Sequence, residues 1–389
     1  MNAEIVPISF SSKKDIEQFI DFQWEIYRND PAWVPPLKLE RRDHINPKVN
    51  PYFEHAEMQL FLAKQGGKIV GRISANRNFE YDKRYGTGTG FFGLFECIND
   101  LEVAKALVRT AEEWCKARGC TRVMGPFSHS INDECGFLIK GFQFPPYVFM
   151  PHNPEYYPTF IEALGYSKIK DLIAWRYDLT KALNDFTLEI ASAVRSAEGL
   201  IVRDLDMNRF EDDFKTVLDI YNEAWEKNWG YVPFTEAEAK KFVKDAKLII
   251  EPRTIKIAEV NGEPAAVTMM LPNLNEVIKD LNGAPSPLGL ARLLWRAKVS
   301  KSFTSGRLII LGIRKKFRGG VFAGGSLSVL LYVESHRSSQ AIGWRDAELG
   351  WTLEDNEKIN LGIQMMGGDP YKLYRIYSRD LVESAASPA

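Results

Sequence analysis

Shifted against itself by 198 residues, the chain lays Ile20–Pro35 (IDFQWEIYRNDPAWVP) over Leu218–Pro233 (LDIYNEAWEKNWGYVP). Asp21/Asp219, Glu25/Glu223, Val34/Val232 and Pro35/Pro233 coincide without a gap. A shift of 195 lays Phe61–Ser74 over Lys256–Met269, matching Ala63/Ala258 and Gly67/Gly262. The second pair reads as two strands joined by a Gly-containing hairpin turn. The identities are few, so the order of elements carries more of the argument than they do.

That order agrees across the halves. Each opens with a short strand (EIVPIS; LIVRDLD), then a long helix and the hairpin. Each continues with an apolar strand (GFFGLFE; RLIILGI), a helical stretch, a strand, a shorter helix and a last strand (KIKDLIAWRYDL; YKLYRIYSRDL). Two copies of a mixed α/β unit are expected, in line with a chain of 389 residues, which exceeds what one core usually serves. The boundaries fall at 1–180 and 200–389, with 181–199 as a connecting helix.

Fifty basic residues against 51 acidic ones leave a formal charge of -1, so no global field draws the chain to nucleic acid. Any polyanion site has to be a local patch. Cys97, Cys115, Cys120 and Cys135 show no zinc spacing and read as reduced thiols, and no metal is expected. The N-terminus has no basic-then-apolar leader, and no run of about 18 apolar residues occurs, so a cytoplasmic location without an integral membrane segment is expected. Leu288–Lys301 (LGLARLLWRAKVSK) is the one stretch with the character to touch a membrane surface.

After the apolar RLIILG comes Ile313–Gly325, IRKKFRGGVFAGG, with four cations among small residues. A glycine-rich turn before a helix presents unpaired N–H groups and the positive end of the helix dipole. With the element order, this resembles the GNAT acyltransferase fold, α/β (α+β), here as two tandem GNAT-like domains. Each would be a mixed, mostly antiparallel sheet flanked by helices. The family's loop, Arg/Gln-x-x-Gly-x-Gly/Ala, holds the pyrophosphate of acyl-CoA. Here Arg318-Gly319-Gly320-Val321-Phe322-Ala323 keeps its first and last positions, with Val321 in place of the middle glycine and glycines at 319, 320, 324 and 325.

The resemblance implies acyl-CoA, acetyl or longer, as donor substrate, bound by Ile313, Arg314, Arg318, Gly319, Gly320, Val321, Ala323 and Gly324. Arg314, Lys315 and Lys316 would suit a phosphate-rich nucleotide end or an acidic acyl carrier protein. The equivalent first-half turn, FECINDLEVAKA, carries Glu96, Asp100 and Glu102 and no glycine cradle, so it is expected to have lost donor binding. Over nearly the whole length, GPFSHSINDECGFLIKGF, PPYVFMPHNPEYY and GWTLEDNEKINLGIQMMGG resemble a bacterial tandem-GNAT family, near which bacterial ceramide synthases stand; those acylate a long-chain amine. Fem-type aminoacyl ligases share the duplicated fold.

Acyl transfer to an amine needs a base, donors for the carbonyl oxygen and an acid for the thiolate. The GNAT pattern implies a backbone N–H within Leu311–Arg314 as the carbonyl donor and Glu348 as base, with Tyr371 or Tyr374 as acid. Ser128–Gly136 (SHSINDECG) is the densest polar cluster. It reads either as an acceptor pocket, with His129 relaying a proton and Asn132 or Glu134 gripping the amine, or as an Asx-type turn. Asn153 before Pro154 reads as a helix N-cap. Trp24, Tyr27, Trp33, Trp225, Trp229 and Tyr231 read as core aromatics or as an apolar acceptor groove.

The function these readings support is N-acylation of a small or lipid-like amine from acyl-CoA or an acyl carrier protein. The alternatives are a non-catalytic acyl-CoA or metabolite sensor and Fem-like tRNA-dependent aminoacyl transfer.

Overall fold

The computed structural model describes residues 3–247, 249–300 and 302–381. Its contacts divide the chain into two units, and the division is not collinear with the sequence. Of the described residues, the first takes 3–172, Leu281–Ala284 and 372–381; the second takes those within Ile173–Asp280 and Pro285–Tyr371.

The first unit contains β1 (Glu4–Ile8), α1 (Lys13–Ile26), α2 (Lys38–His44), β2 (Ala56–Gln65), β3 (Lys68–Asn78), α3 (Phe79–Tyr85), β4 (Thr89–Cys97), α4 (Leu101–Lys116), β5 (Arg122–Gly125), β6 (Phe137–Lys140), α5 (Tyr156–Ala163) and the start of β7 (Ser167–Asp178). The second contains the rest of β7, α6 (Asp185–Arg195), β8 (Leu200–Asp204), α7 (Phe210–Trp225), α8 (Glu236–Ala246), β9 (Ile255–Val260), β10 (Glu263–Pro272), α9 (Asn275–Ile278), α10 (Pro287–Leu294), β11 (Ser305–Ile313), α11 (Ser326–Ala341), β12 (Asp346–Leu353), α12 (Glu357–Met365) and the start of β13 (Asp369–Asp380). Two tandem GNAT-like α/β domains are the result.

Within the first unit the strand order is β1-β2-β3-β4-β5-β13; within the second it is β8-β9-β10-β11-β12-β7. The described strand pairs are antiparallel except β4 with β5 and β11 with β12. The last strand of each half therefore completes the other unit's sheet. β13 pairs Tyr377 with Gly125 and Asp380 with Arg122, while Trp175 Nε1 on β7 donates to Thr352 Oγ1 at 2.8 Å. Sequence order had kept the final strand in the second domain. It leaves because Ile376 and Tyr377 are apolar or aromatic and buried, with Tyr377 in the first unit's core beside Phe137 and Tyr157. The connecting helix likewise belongs to the second core, where Ala191 and Val194 of α6 join Leu327, Leu330 and Leu331 of α11.

Local sequence explains the repeated elements. Gly66-Gly67 and Asn261-Gly262 all have positive φ, which a two-residue hairpin turn between twisted strands requires. Val103, Ala104, Leu107, Val108, Ala111 and Cys115 recur at helical spacing and bury one face of α4 on the sheet. The side chain of Leu107 fills the space a Cβ on Gly71 would take, only 2.6 Å away.

Candidate active site

In both units the parallel pair of strands separates part-way. β11 pairs with β12 from Ser305–Asp346 to Leu308–Leu349, and no described pair continues it, although β11 runs on to Ile313. β4 pairs with β5 only through Phe91–Met124 and runs on to Cys97. Each unpaired arm begins with an extra residue relative to its antiparallel neighbour. The register shifts opposite Met269/Met270 in one unit and between Arg72 and Ser74 in the other. The bulge bends the arm away and leaves one edge of its backbone unused by the sheet.

Alternation along the strand says which groups face the fork. Arg314 N–H donates to Ala265 O at 2.9 Å on the β10 side, so the N–H groups of Ile313 and Leu311 point the other way. Both lie in the segment expected to polarise the acyl carbonyl. In the first unit Ile98 N–H donates to Val70 O at 3.0 Å, which makes Cys97 the counterpart of Ile313. There the position is filled. Cys97 N–H donates to the Tyr157 hydroxyl at 2.9 Å, and Cys97 O accepts from the Tyr156 hydroxyl at 2.8 Å.

The helix starts differ in the same sense. Asp100 caps α4, accepting from Glu102 N–H at 2.9 Å, so a carboxylate occupies the anion position of that terminus. α11 begins after Gly325, at φ 80°, with no side-chain cap. A Cβ at Gly319, Gly320 or Gly324 would meet nothing within 4 Å. Phe317 and Phe322 anchor the loop in the core, while Val321 is 58% exposed and turned outward. The valine thus leaves the backbone open, and the residues present fit a pyrophosphate lying across the loop and the first turn of α11.

The cations of the loop are placed less simply than their run implied. Arg314 is bound to Glu223 at 2.9 Å and to Pro264 O, Lys315 to Glu226 at 2.6 Å, and Lys316 to Glu263. Arg318 donates from Nε and Nη2 to Ile313 O at 2.9 and 2.7 Å, drawing the loop back onto the end of β11. A phosphate here would meet backbone N–H groups first, and cations only by exchange of partners.

Glu348 lies one ladder pair before the fork, wholly buried. Its Oε2 accepts from the Tyr371 hydroxyl at 2.5 Å. Opposite it in register is Arg307, whose Nε approaches Oε1 to 3.2 Å while donating its proton to Gly350 O at 3.0 Å. That buried arginine was not singled out from sequence, although a lone Arg in the apolar RLIILG was its signal. Tyr374 stands elsewhere: it is buried in the first unit, opposite Leu138 of β6, whereas Tyr371 shares the second unit with Glu348.

The polar loop Ser128–Gly136 folds as a closed turn. Ser128 N–H donates to Glu134 O, and Asp133 accepts from Ser130 N and Oγ at 3.3 and 3.1 Å. Asn132, half-buried, donates its N–H to Ser130 Oγ. Glu134 takes both terminal nitrogens of Arg41 at 3.1 and 2.6 Å. His129 is 1% exposed, against the rings of His44, Tyr52 and Phe53, and neither ring nitrogen has a hydrogen-bond partner. Burial, then His44 and Arg41, holds its pKa well below the usual 6.5, so the imidazole is neutral. His44, His129 and Asp133 bring one ligand atom each within 4.8 Å of one another, although the positive Arg41 acts on the same group and opposes a cation there.

Two further expectations resolve locally. Asn153 does not cap α5; its amide accepts from Leu138 N–H at 2.6 Å and donates to Leu138 O at 3.2 Å, as a neighbouring strand would. Tyr27 stacks on Trp33, and its hydroxyl donates to Glu96 at 2.9 Å. Glu96 also accepts from Gln23 and Tyr157, with Arg72 at 3.6 Å; burial nonetheless holds its pKa above the usual carboxylate value.

A family model described as the acetyltransferase (GNAT) family matches residues 16–133, within the first unit. The chain is 38% identical over 381 residues, 98% of each protein, to a bacterial ceramide synthase of Caulobacter vibrioides. It is 39% identical over 377 residues, 96% of this chain and 95% of the other, to protein YghO of Escherichia coli. Among solved structures, a tandem GNAT protein from the clavulanic acid biosynthesis pathway superposes with a TM-score of 0.56 at 13% identity, covering 98% and 99% of the two chains. This protein belongs to the tandem GNAT acyltransferase family.

A GNAT protein from Sphaerobacter thermophilus shares the fold as well, at a TM-score of 0.51 and 13% identity over 97% and 95% of the chains. In this tandem GNAT protein the two forks are thus copies of one device, and they differ in what fills them. Tyr157 was missed as the residue that fills the first; its place in the aromatic run PEYY gave no indication of a bond to β4.

Proposed function

We propose that this protein transfers an acyl group from a thioester bound in its second unit to the amine of a lipid-like acceptor. The observation that carries the reading is the contrast between corresponding backbone groups. Cys97 N–H is taken by Tyr157 and α4 is capped by Asp100, while Ile313 N–H faces an open fork and α11 starts at an uncapped glycine. The 38% identity to a protein named as a ceramide synthase supports a long-chain amino alcohol as acceptor class.

In the reaction the amine nitrogen bonds to the thioester carbon, the carbon–sulfur bond breaks, and the amine's proton leaves as the thiolate gains one. The Ile313 N–H holds the carbonyl oxygen. Glu348 is too deeply buried to touch an amine directly. The half-buried Tyr371 is the group bonded to it, so Tyr371 passes the proton and Glu348 is a positioning residue that keeps the phenol oriented.

A thermal-shift series with CoA, acetyl-CoA and a long-chain acyl-CoA on wild type and Gly320→Glu tests the reading. Ligand at about a hundred times its Kd adds roughly 2.7 kcal/mol to stability. The wild type is expected to shift most with the long-chain donor and the variant with none. No shift with any donor overturns CoA as the donor.

A further inference from the structure

One helix of the second unit turns its apolar side to water. α10 continues directly into a π-helical turn, Trp295–Val299, and Ser286 caps its start by accepting from Gly289 N–H at 3.2 Å. Along this span Leu288, Ala291, Trp295 and Val299 recur at spacings of three and four, which places them in one stripe. The buried residue is Leu293, and it fixes the inward face. Leu288 is 83% exposed, Trp295 55% and Val299 69%, on the opposite side.

Charge completes the pattern. Arg292 and Lys298 are exposed and fall on the two flanks of the stripe, while Arg296 turns inward to bond Asp280 at 2.7 and 2.9 Å, with Arg292 3.6 Å from the same carboxylate. No Asp or Glu lies between Asp280 and Glu334, a stretch with nine Lys or Arg. A surface helix of a soluble protein has the reverse arrangement, with charges outward. An apolar centre with a tryptophan, edged by cations whose stems can lie along it, matches the boundary between headgroups and acyl chains.

We propose that the Leu288–Val299 face docks this protein peripherally on the surface of a bilayer containing anionic phospholipid. No helix among the described residues is long and apolar enough to cross a membrane, so the attachment is to one surface. A second copy of the chain is the poorer occupant, because a two-fold contact would bring Arg292 and Lys298 against their own counterparts. The inference deepens the lipid-like acceptor reading by saying where such an acceptor is met. Its test omits donor and acceptor, so that the two can fail separately.

The test is flotation of the full chain with vesicles of phosphatidylcholine alone and of an equal mixture with phosphatidylglycerol. Binding is expected to the mixed vesicles and to weaken with salt. Losing two surface cations in Arg292→Ser/Lys298→Ser should weaken it roughly 30-fold. Leu288→Ser/Trp295→Ser should abolish it, with an unchanged circular dichroism spectrum and thermal midpoint. No binding by wild type, or equal binding by wild type and the second variant, overturns the proposal. So does a lipid-free dimer in sedimentation that Leu288→Ser/Trp295→Ser converts to monomer.

Discussion

The Tyr371 hydroxyl donates to Oε2 of Glu348 at 2.5 Å, and that carboxylate has no contact with water. A half-exposed phenol held by a buried anion is an orientable proton carrier, and removing its oxygen should cost rate more than binding. Tyr371→Phe is expected to lower kcat about 100-fold while leaving the acyl-CoA thermal shift intact. Steady-state kinetics beside the shift assay check it; an unchanged kcat removes Tyr371 from the chemistry.

Arg307 and Glu348 are both buried, at 5% and 0% exposure, and stand opposite each other in register. Arg307→Met strands the carboxylate without its counter-charge and should cost about 3–5 kcal/mol. Arg307→Met/Glu348→Met should recover most of the loss in urea titrations, since an apolar pair of similar volume carries no desolvation cost.

Asp100→Ala removes the cap of α4 and should cost about 1 kcal/mol. The Tyr157 bond to Cys97 still fills the fork, so the variant should gain no second donor site. Isothermal titration with acyl-CoA should give the same stoichiometry as wild type.

His129 makes stability depend on pH in a defined direction. Its imidazole stays neutral in the native state because the native pKa lies well below 6.5, whereas the unfolded chain takes up a proton near 6.5. Below that pH the unfolded state binds more protons, so stability falls with falling pH, by up to about 1.4 kcal/mol per unit. Urea midpoints between pH 7.5 and 5 should show this slope reduced in His129→Gln.

What the sequence disclosed followed from periodicity. The duplicated order, the two hairpins and the glycine-rich loop were all legible because turns and amphipathic faces are local. The partners of charged groups were not. IRKKFRGG shows four cations, but not that Glu223, Glu226 and Glu263 hold three of them, since those acids lie about 50 to 90 residues away. Glu348 was readable as a carboxylate in an apolar strand, whereas its facing Arg307 depends on strand register. Tyr374 was grouped with Tyr371 by proximity in sequence, and the chain parts them by passing from one unit to the other between Tyr371 and Lys372.

That passage bears on how the chain is made. Synthesis runs from the N-terminus, and domains commonly fold in that order as they emerge. Here the strand that covers β5 and β6 and supplies Tyr377 to the first core is made only after all of the second unit. The first unit must wait, with one sheet edge bare, until the second has been synthesised. A chain stopped at Tyr371 would contain every residue of the second unit and lack the strand that closes the first.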